Sequence, residues 1–280
     1  CQVVGVVSQP DRKRGRGQTL VQTPVAACAS AHNLPIYQWP RLNNESYDTL
    51  SKLEADVAVV VAYGKILPQR YLDLPRLGCL NVHASLLPSL RGAAPIQWAV
   101  INGDQRTGVS IMQLDAGMDT GDVAHRVETE IGANETAGEL HDRLAPLGAE
   151  ALKVVLQQLC DGTFTLEAQA HERATHARML TKGDGQIDWA QDAQTVHNHV
   201  RGMSPWPGAY QSTSKGPIKL HATELKEGSG TPGHIIQFER SGPVVACARG
   251  ALLIQRIQRP GKRAVTGAEY VNALNLQLGD

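Results

Sequence analysis

Short β-branched runs alternate with amphipathic helical patterns through the first part of this chain, and that alternation restricts the fold more than any other feature. Runs at 3–7, 57–62, 79–84, 109–114 and 123–127 read as strands. Between them the periodicity predicts a helix from Pro24 behind the cap candidate Thr23, and another over 94–101. A longer helix is expected over 136–159, where Thr136 and Glu139 have the spacing of a capping box and Gly162 stands where the helix would stop. Strands interspersed with helices in this rhythm imply an α/β fold with a mostly parallel sheet.

The rhythm then changes. Residues 163–184 are polar, lack periodicity and include His171, Arg173, His176 and Arg178, which reads as a linker. A helix over 193–202 follows, and then strand-like runs at 218–225, 233–238, 244–248 and 252–258, punctuated by Pro, Gly and Ser. The expected division is therefore a domain at 1–162, a linker at 163–184 and a second domain at 185–280, and 280 residues suffice for two cores. Trp189 and Trp206 read as core anchors of the second domain.

Composition matters mainly for what it excludes. A hydrophobic content of 42% argues against disorder, and the longest apolar run, 57–63, is far too short to span a bilayer. The five cysteines stand singly without Cys-x-x-Cys spacing, which favours reduced thiols and a reducing compartment. Net charge is zero, although residues 181–280 hold 11 Lys+Arg against 8 Asp+Glu. So small a surplus says little about nucleic acid. Local clustering says more: Arg12, Lys13, Arg14 and Arg16 lie in RKRGRG, whose glycines suggest a mobile loop able to embrace phosphates.

The chemistry-bearing constellation is Asn81, His83 and Asp119. An apolar run ends in Asn-x-His, and a strand's carboxyl end is where an open α/β sheet forms its binding crevice. Two residues apart on a strand, Asn81 and His83 project to the same face. An amide can donate to a developing oxyanion, and an imidazole can move a proton near neutral pH. Three roles are open to Asp119: orienting His83, favouring its imidazolium form, or accepting a proton through water.

Asn-x-His, then SLLP, then a distant Asp also resembles the signature of the folate-dependent formyltransferases. QPDRKRGRGQ at 9–18, VVAYGKILP at 60–68, RGAAPI at 91–96, MDTGD at 118–122 and IDWAQDAQTVHNHVRGMSPWPGAY at 187–210 narrow the resemblance to that family's methionyl-tRNA branch. It covers nearly the whole chain. It implies a Rossmann-like formyltransferase domain followed by a smaller OB-like β-barrel of five strands. The implied activity is transfer of formyl from 10-formyltetrahydrofolate, a co-substrate, to the α-amine of methionine on initiator tRNA, without a metal.

By the same resemblance Asn81, His83 and Asp119 are catalytic. Ser85, Leu86, Leu87 and Pro88 line the folate pocket with Tyr63, Gly64 and Ile66. Arg12, Lys13, Arg14 and Arg16 meet the tRNA acceptor stem; by their charge alone, Lys182, Arg201, Lys215, Lys219, Lys262 and Arg263 are further candidate cations along the RNA path. A monomer without membrane association is expected, in the bacterial cytoplasm or, in a eukaryote, an organellar matrix. Members of the family begin with an earlier strand, turn and helix that have no counterpart here, so the chain is expected to be a fragment. Two other readings use the same residues: a formyl-folate transferase or hydrolase acting on a small molecule, and a non-catalytic RNA-binding module.

Overall fold

A computed structural model describes residues 1–14, 18–214 and 216–279. In chain order its elements begin with β1 (Val6–Ser8), β2 (Arg12–Arg14), β3 (Thr19–Val21), α1 (Pro24–Ala31), β4 (Ile36–Gln38), α2 (Asn44–Ser51), β5 (Ala58–Val60) and α3 (Gln69–Leu72). There follow β6 (Cys79–His83), β7 (Arg91–Gly92), α4 (Pro95–Asn102), β8 (Arg106–Gln113), β9 (Val123–Glu130) and α5 (Ala137–Asp161). The remainder comprises β10 (His176–Ala177), α6 (Ala193–Gly202), β11 (Ala209–Gln211), β12 (Ile218–Lys226), β13 (Ile235–Glu239), β14 (Gly242–Ala246), β15 (Ala251–Gln258), β16 (Ala264–Thr266) and α7 (Gly267–Leu274). Two compact units interleave along the sequence: 1–83, 110–126 and 148–171 form one, and 84–109, 127–147 and the chain from Glu172 onward form the other.

The first unit holds the parallel pairs that the strand–helix rhythm predicts. β1 runs parallel to β4, and β5 runs parallel to β6 with Val60 opposite Asn81. β8 then joins β6 antiparallel, with Asn81 opposite Met112 and His83 opposite Ser110, in a four-stranded sheet of order β5-β6-β8-β9. Among the described residues no ladder joins the β1–β4 pair to that sheet. Leu80, Ile111, Met112 and Val155 are wholly buried, so the apolar runs of β6, β8 and α5 supply the core of this unit.

Helix termini follow the local chemistry. Thr23 caps α1 by accepting from the Ala26 N–H, with Pro24 in the first turn. Thr136 and Glu139 make the reciprocal bonds of a capping box at the start of α5, and Gly162 takes a φ of +71° just past its end. The polar helix α2 has no apolar stripe to announce it. It is secured by Asn43 and Ser46, which cap each other, and by a 2.7 Å hydrogen bond between the buried Ser46 hydroxyl and Tyr71.

One expectation is corrected here: residues 12–14 are not a mobile loop. They form β2, hydrogen-bonded antiparallel to β3, with Arg12 opposite Val21 and Lys13 opposite Leu20. The β-forming run Thr19–Val21 supplies the partner that orders the charged strand.

In the second unit β11-β12-β15-β14-β13 form an antiparallel sheet, with β16 also paired to β15. That makes six strands rather than five. Among the described residues no ladder joins β11 to β13, the two ends of the path, so backbone pairing closes no barrel among them. Helix α6 lies over its core: Val196, Val200 and Met203 pack with Ile187, Leu220, Leu252 and Ile254. Trp189 packs against this cluster as expected. Trp206 does not; held in a turn between Pro205 and Pro207, it is 51% exposed. Residues 163–184, read as a linker, contain β10, which pairs in parallel with β7, and Glu167, which bridges to Val123. Among the described residues no helix is long and apolar enough to cross a membrane.

Candidate active site

Strand β6 presents the candidate pair, Asn81 and His83. Its i, i+2 spacing puts Asn81 and His83 on one face, opposite Met112 and Ser110 of β8, and His83 as a whole residue is 5% exposed. Because β5 is parallel to β6 and Val60 lies opposite Asn81, the segment after β5 leaves the sheet from the edge where β6 also ends. That segment contains Tyr63, Gly64 and Ile66.

Asp119 arrives by a different route. The turn after β8 starts beside the far end of β6, where the Leu114 N–H donates to the Cys79 carbonyl at 2.7 Å, and it closes with Gln113 N–H donating to Asp122 at 2.8 Å. Asp119 nevertheless reaches His83, with Oδ2 3.6 Å from Nδ1. The turn therefore folds back along β6, and Asp119 sits at a φ of +53° to make that path. Asp115 ties the turn together by accepting from the Thr120 hydroxyl at 2.7 Å and from the Gly117 N–H at 3.0 Å. Gly121 packs on the Gln113 carbonyl so closely that any side chain there would collide with it. From outside the turn, the buried Gln169 amide donates to the carbonyls of Asp119 and Gly121. Gln169 escaped the sequence reading, having no motif around it and lying 50 positions from Asp119 in the stretch read as linker.

The other expected residues divide. The Tyr63 hydroxyl is buried and, among the described residues, has no hydrogen-bond partner; burial and then the nearby Tyr71 hydroxyl push its pKa above the usual tyrosine value. A buried phenol without an acceptor is costly in the protein alone and suits a ligand with polar edges. Gly64 is exposed, with a φ of +74° and open space where a side chain would be, and Ile66 is 90% exposed. Ser85, Leu86, Leu87 and Pro88 follow His83 in the chain but belong to the second unit. There Ser85 and Leu86 line a cleft of about 330 Å³ with Asp104 and Thr107, while Leu87 is packed into the core.

Arg12 and Lys13 are exposed on β2; only the backbone of Arg14 is described, and Arg16 lies outside the described residues. Of the further cations, Lys182, Lys262 and Arg263 are exposed and Lys219 is half-buried, while Lys215 lies outside the described residues. Arg201 is corrected: it is a buried internal strut, donating to the carbonyls of Gly132 and Glu135 at 3.2 and 3.0 Å. Among the described residues no group of three or more His, Cys, Asp or Glu side chains is arranged to hold a metal ion.

An amide and an imidazole on one strand face, with a carboxylate against the imidazole, suit acyl transfer, and comparison with known proteins agrees with this class. Residues 1–156 match the formyl transferase family model and 179–275 match the model of the formyl transferase C-terminal domain; the chain belongs to the formyl transferase family. It is 44% identical over 278 residues to the methionyl-tRNA formyltransferase of Citrifermentans bemidjiense, an alignment spanning 99% of this chain and 87% of that one. Against the methionyl-tRNA formyltransferase of Alkaliphilus metalliredigens it is 46% identical over 280 residues, spanning 99% of this chain and 89% of the relative.

Solved structures agree in fold. HypX from Aquifex aeolicus, in complex with tetrahydrofolic acid, superposes with a TM-score of 0.67 at 15% identity, covering 98% of this chain and 48% of its own length. The N-formyltransferase from Helicobacter canadensis, in complex with folinic acid and dTDP-3-aminofucose, superposes with a TM-score of 0.66 at 14% identity, covering 90% of this chain and 98% of its own length.

Proposed function

We propose that this chain transfers the formyl group of 10-formyltetrahydrofolate to the α-amine of methionine esterified to initiator tRNA. The observation that carries the chemistry is the approach of Asp119 to His83 on the strand that also presents Asn81. The names of the relatives, at 41–46% identity and 87–91% coverage of their length, support the acceptor.

The roles follow from the donors and acceptors each side chain offers. Asn81 supplies an amide N–H to the formyl oxygen, where negative charge gathers as the amine attacks and the carbon becomes tetrahedral. His83 turns Nδ1 towards Asp119, and Nε2, on the far edge of the ring, takes the proton that the amine gives up and returns it to the folate nitrogen as the C–N bond breaks. Asp119 orients the ring and stabilises the transient imidazolium. Esterification of the methionine removes a negative charge from beside the amine, which lowers its pKa and raises the neutral, nucleophilic fraction.

Tyr63 and Gly64 offer a phenol hydroxyl and open backbone to a folate, and Ile66 an apolar surface. Arg12, Lys13, Arg14 and Arg16 supply cations to the phosphates of the acceptor stem. All three catalytic groups come from one chain, which supports action as a monomer. The relatives are bacterial, which supports a cytoplasmic location.

The test is steady-state transfer from 10-formyltetrahydrofolate to methionyl-tRNA, free methionine and an amino-sugar nucleotide. Only methionyl-tRNA is expected to turn over, and turnover of the sugar nucleotide alone would refute the proposal. Asn81→Ala should lower kcat by roughly 10²- to 10³-fold, the usual loss for one oxyanion donor, with tRNA affinity retained. Arg12→Ala with Lys13→Ala should instead raise the tRNA concentration for half-maximal rate and flatten its salt dependence.

A further inference from the structure

We infer that Gln169 is the positioning residue that holds Asp119 against His83. The inference rests on the catalytic reading of Asp119 and adds to it a group that does not touch the substrate.

The turn that carries Asp119 has to fold back along β6, and its internal ties are exposed. The Asp115 carboxylate accepts from Gly117 and Thr120 at the surface, so water competes for each of those contacts. The contact from outside the turn is of another kind. Gln169 is 4% exposed, and its Nε2 donates to the Asp119 carbonyl at 2.9 Å and to the Gly121 carbonyl at 2.6 Å. A primary amide nitrogen carries two hydrogens, and this pair of bonds uses both. The two carbonyls lie on either side of Thr120. Fixing the first sets the peptide plane that leaves Asp119, and fixing the second holds the turn two residues further on.

Gln169 is itself anchored to the sheet that the turn leaves. Two positions earlier, Glu167 exchanges two backbone hydrogen bonds of 2.9 Å with Val123 at the start of β9, and its carboxylate meets Arg126 at 2.8 Å. The polar stretch before Gln169 is thus laid antiparallel beside β9, and the amide reaches from there into the turn. A glutamine that only filled space would need neither the paired donors nor the strand-like anchorage. With Asp119 already in a left-handed conformation, an outside clamp is what keeps its carboxylate within 3.6 Å of the imidazole.

The experiment is a double-mutant cycle in the full chain, with formyl transfer from 10-formyltetrahydrofolate to methionyl-tRNA as the readout. Gln169→Met keeps the length and bulk of the side chain without its donors; Gln169→Glu keeps the shape but sets acceptors against the two carbonyls. Misplacing a catalytic group by about an ångström costs up to roughly a hundredfold, so Gln169→Met is expected to lower kcat at least about tenfold, and Gln169→Glu further. KM for both substrates should stay within about threefold.

If Gln169 acts through Asp119, the double variant Gln169→Met with Asp119→Asn will be no slower than Asp119→Asn alone, because the two act as one unit. Full kcat in Gln169→Met, or losses that multiply in the double variant, would overturn the inference. So would loss of a cooperative thermal transition in both Gln169 variants, which would assign the residue to folding. Full rate in Asp119→Asn would remove the catalytic reading itself, whereas full rate in Gln169→Met alone removes only the positioning role.

Discussion

Exchanging Asp119 for Asn removes one negative charge and changes little else. The residue sits at a φ of +53°, a left-handed conformation that Asn adopts as readily as Asp, so the turn keeps its path. The bonds from Gln169 go to main-chain oxygens and survive the exchange. What disappears, in the proposed mechanism, is the attraction between the carboxylate and the imidazolium formed at His83 as the amine loses its proton. Across the 3.6 Å separation, in an environment of effective dielectric near 20, that attraction is about 4 to 5 kcal/mol before desolvation is subtracted. The imidazole is 6% exposed and the carboxylate 15%, so water screens the pair only in part. If about half the attraction survives, kcat falls by roughly 30- to 70-fold. The assay is saturating turnover with 10-formyltetrahydrofolate and methionyl-tRNA, with KM for each expected to hold. Asp119→Ala is a poorer probe, since alanine resists the left-handed backbone and adds strain to the lost charge. A kcat for Asp119→Asn within about threefold of the parent would refute the reasoning.

Two predictions concern the second unit. Gly202→Ala would add a methyl at the end of α6 that collides with the Ile101 side chain and lies 3.0 Å from the Ile101 nitrogen and 3.2 Å from the Gln97 carbonyl of α4. Overpacking should outweigh the helix propensity gained, for a net loss of about 1 to 2 kcal/mol in urea unfolding, and an unchanged or raised midpoint would refute it. The second prediction concerns pH. Burial lowers the pKa of both His197 and His199, so as pH falls the unfolded chain takes up protons before the folded one does. Their contribution is complete above the unfolded value of about 6.5 and is withdrawn below it, by at most about 1.4 kcal/mol per pH unit for each histidine. Unfolding at pH 7.5 and 5.5 should show this slope flattened in His197→Gln with His199→Gln; an unflattened slope would place the acid sensitivity elsewhere.

What the sequence reveals of this site, and what it hides, divides by the range of the interactions involved. Asn81 and His83 share a face because a strand repeats every two residues, a rule that needs no tertiary information. The caps of α1 and α5 are equally local, and the Thr266–Glu269 capping box that opens α7 has the same legible spacing. The order of residues 12–14 was hidden because charge and glycine content read as solvated loop, while the stabilising partner, Thr19–Val21, lies further along the chain and speaks only through pairing. The approach of Asp119 to His83 was legible as a pattern of residue types but not as geometry. Its path depends on Gly121 lying against the Gln113 carbonyl and on an amide 50 positions further along. A side chain that works by donating to two backbone carbonyls leaves no trace in periodicity, charge or motif, since any polar residue in a polar stretch looks the same until the carbonyls it meets are known. The turn around Asp119 is therefore where substitutions remote in sequence should alter the rate of transfer without altering the residues that perform it.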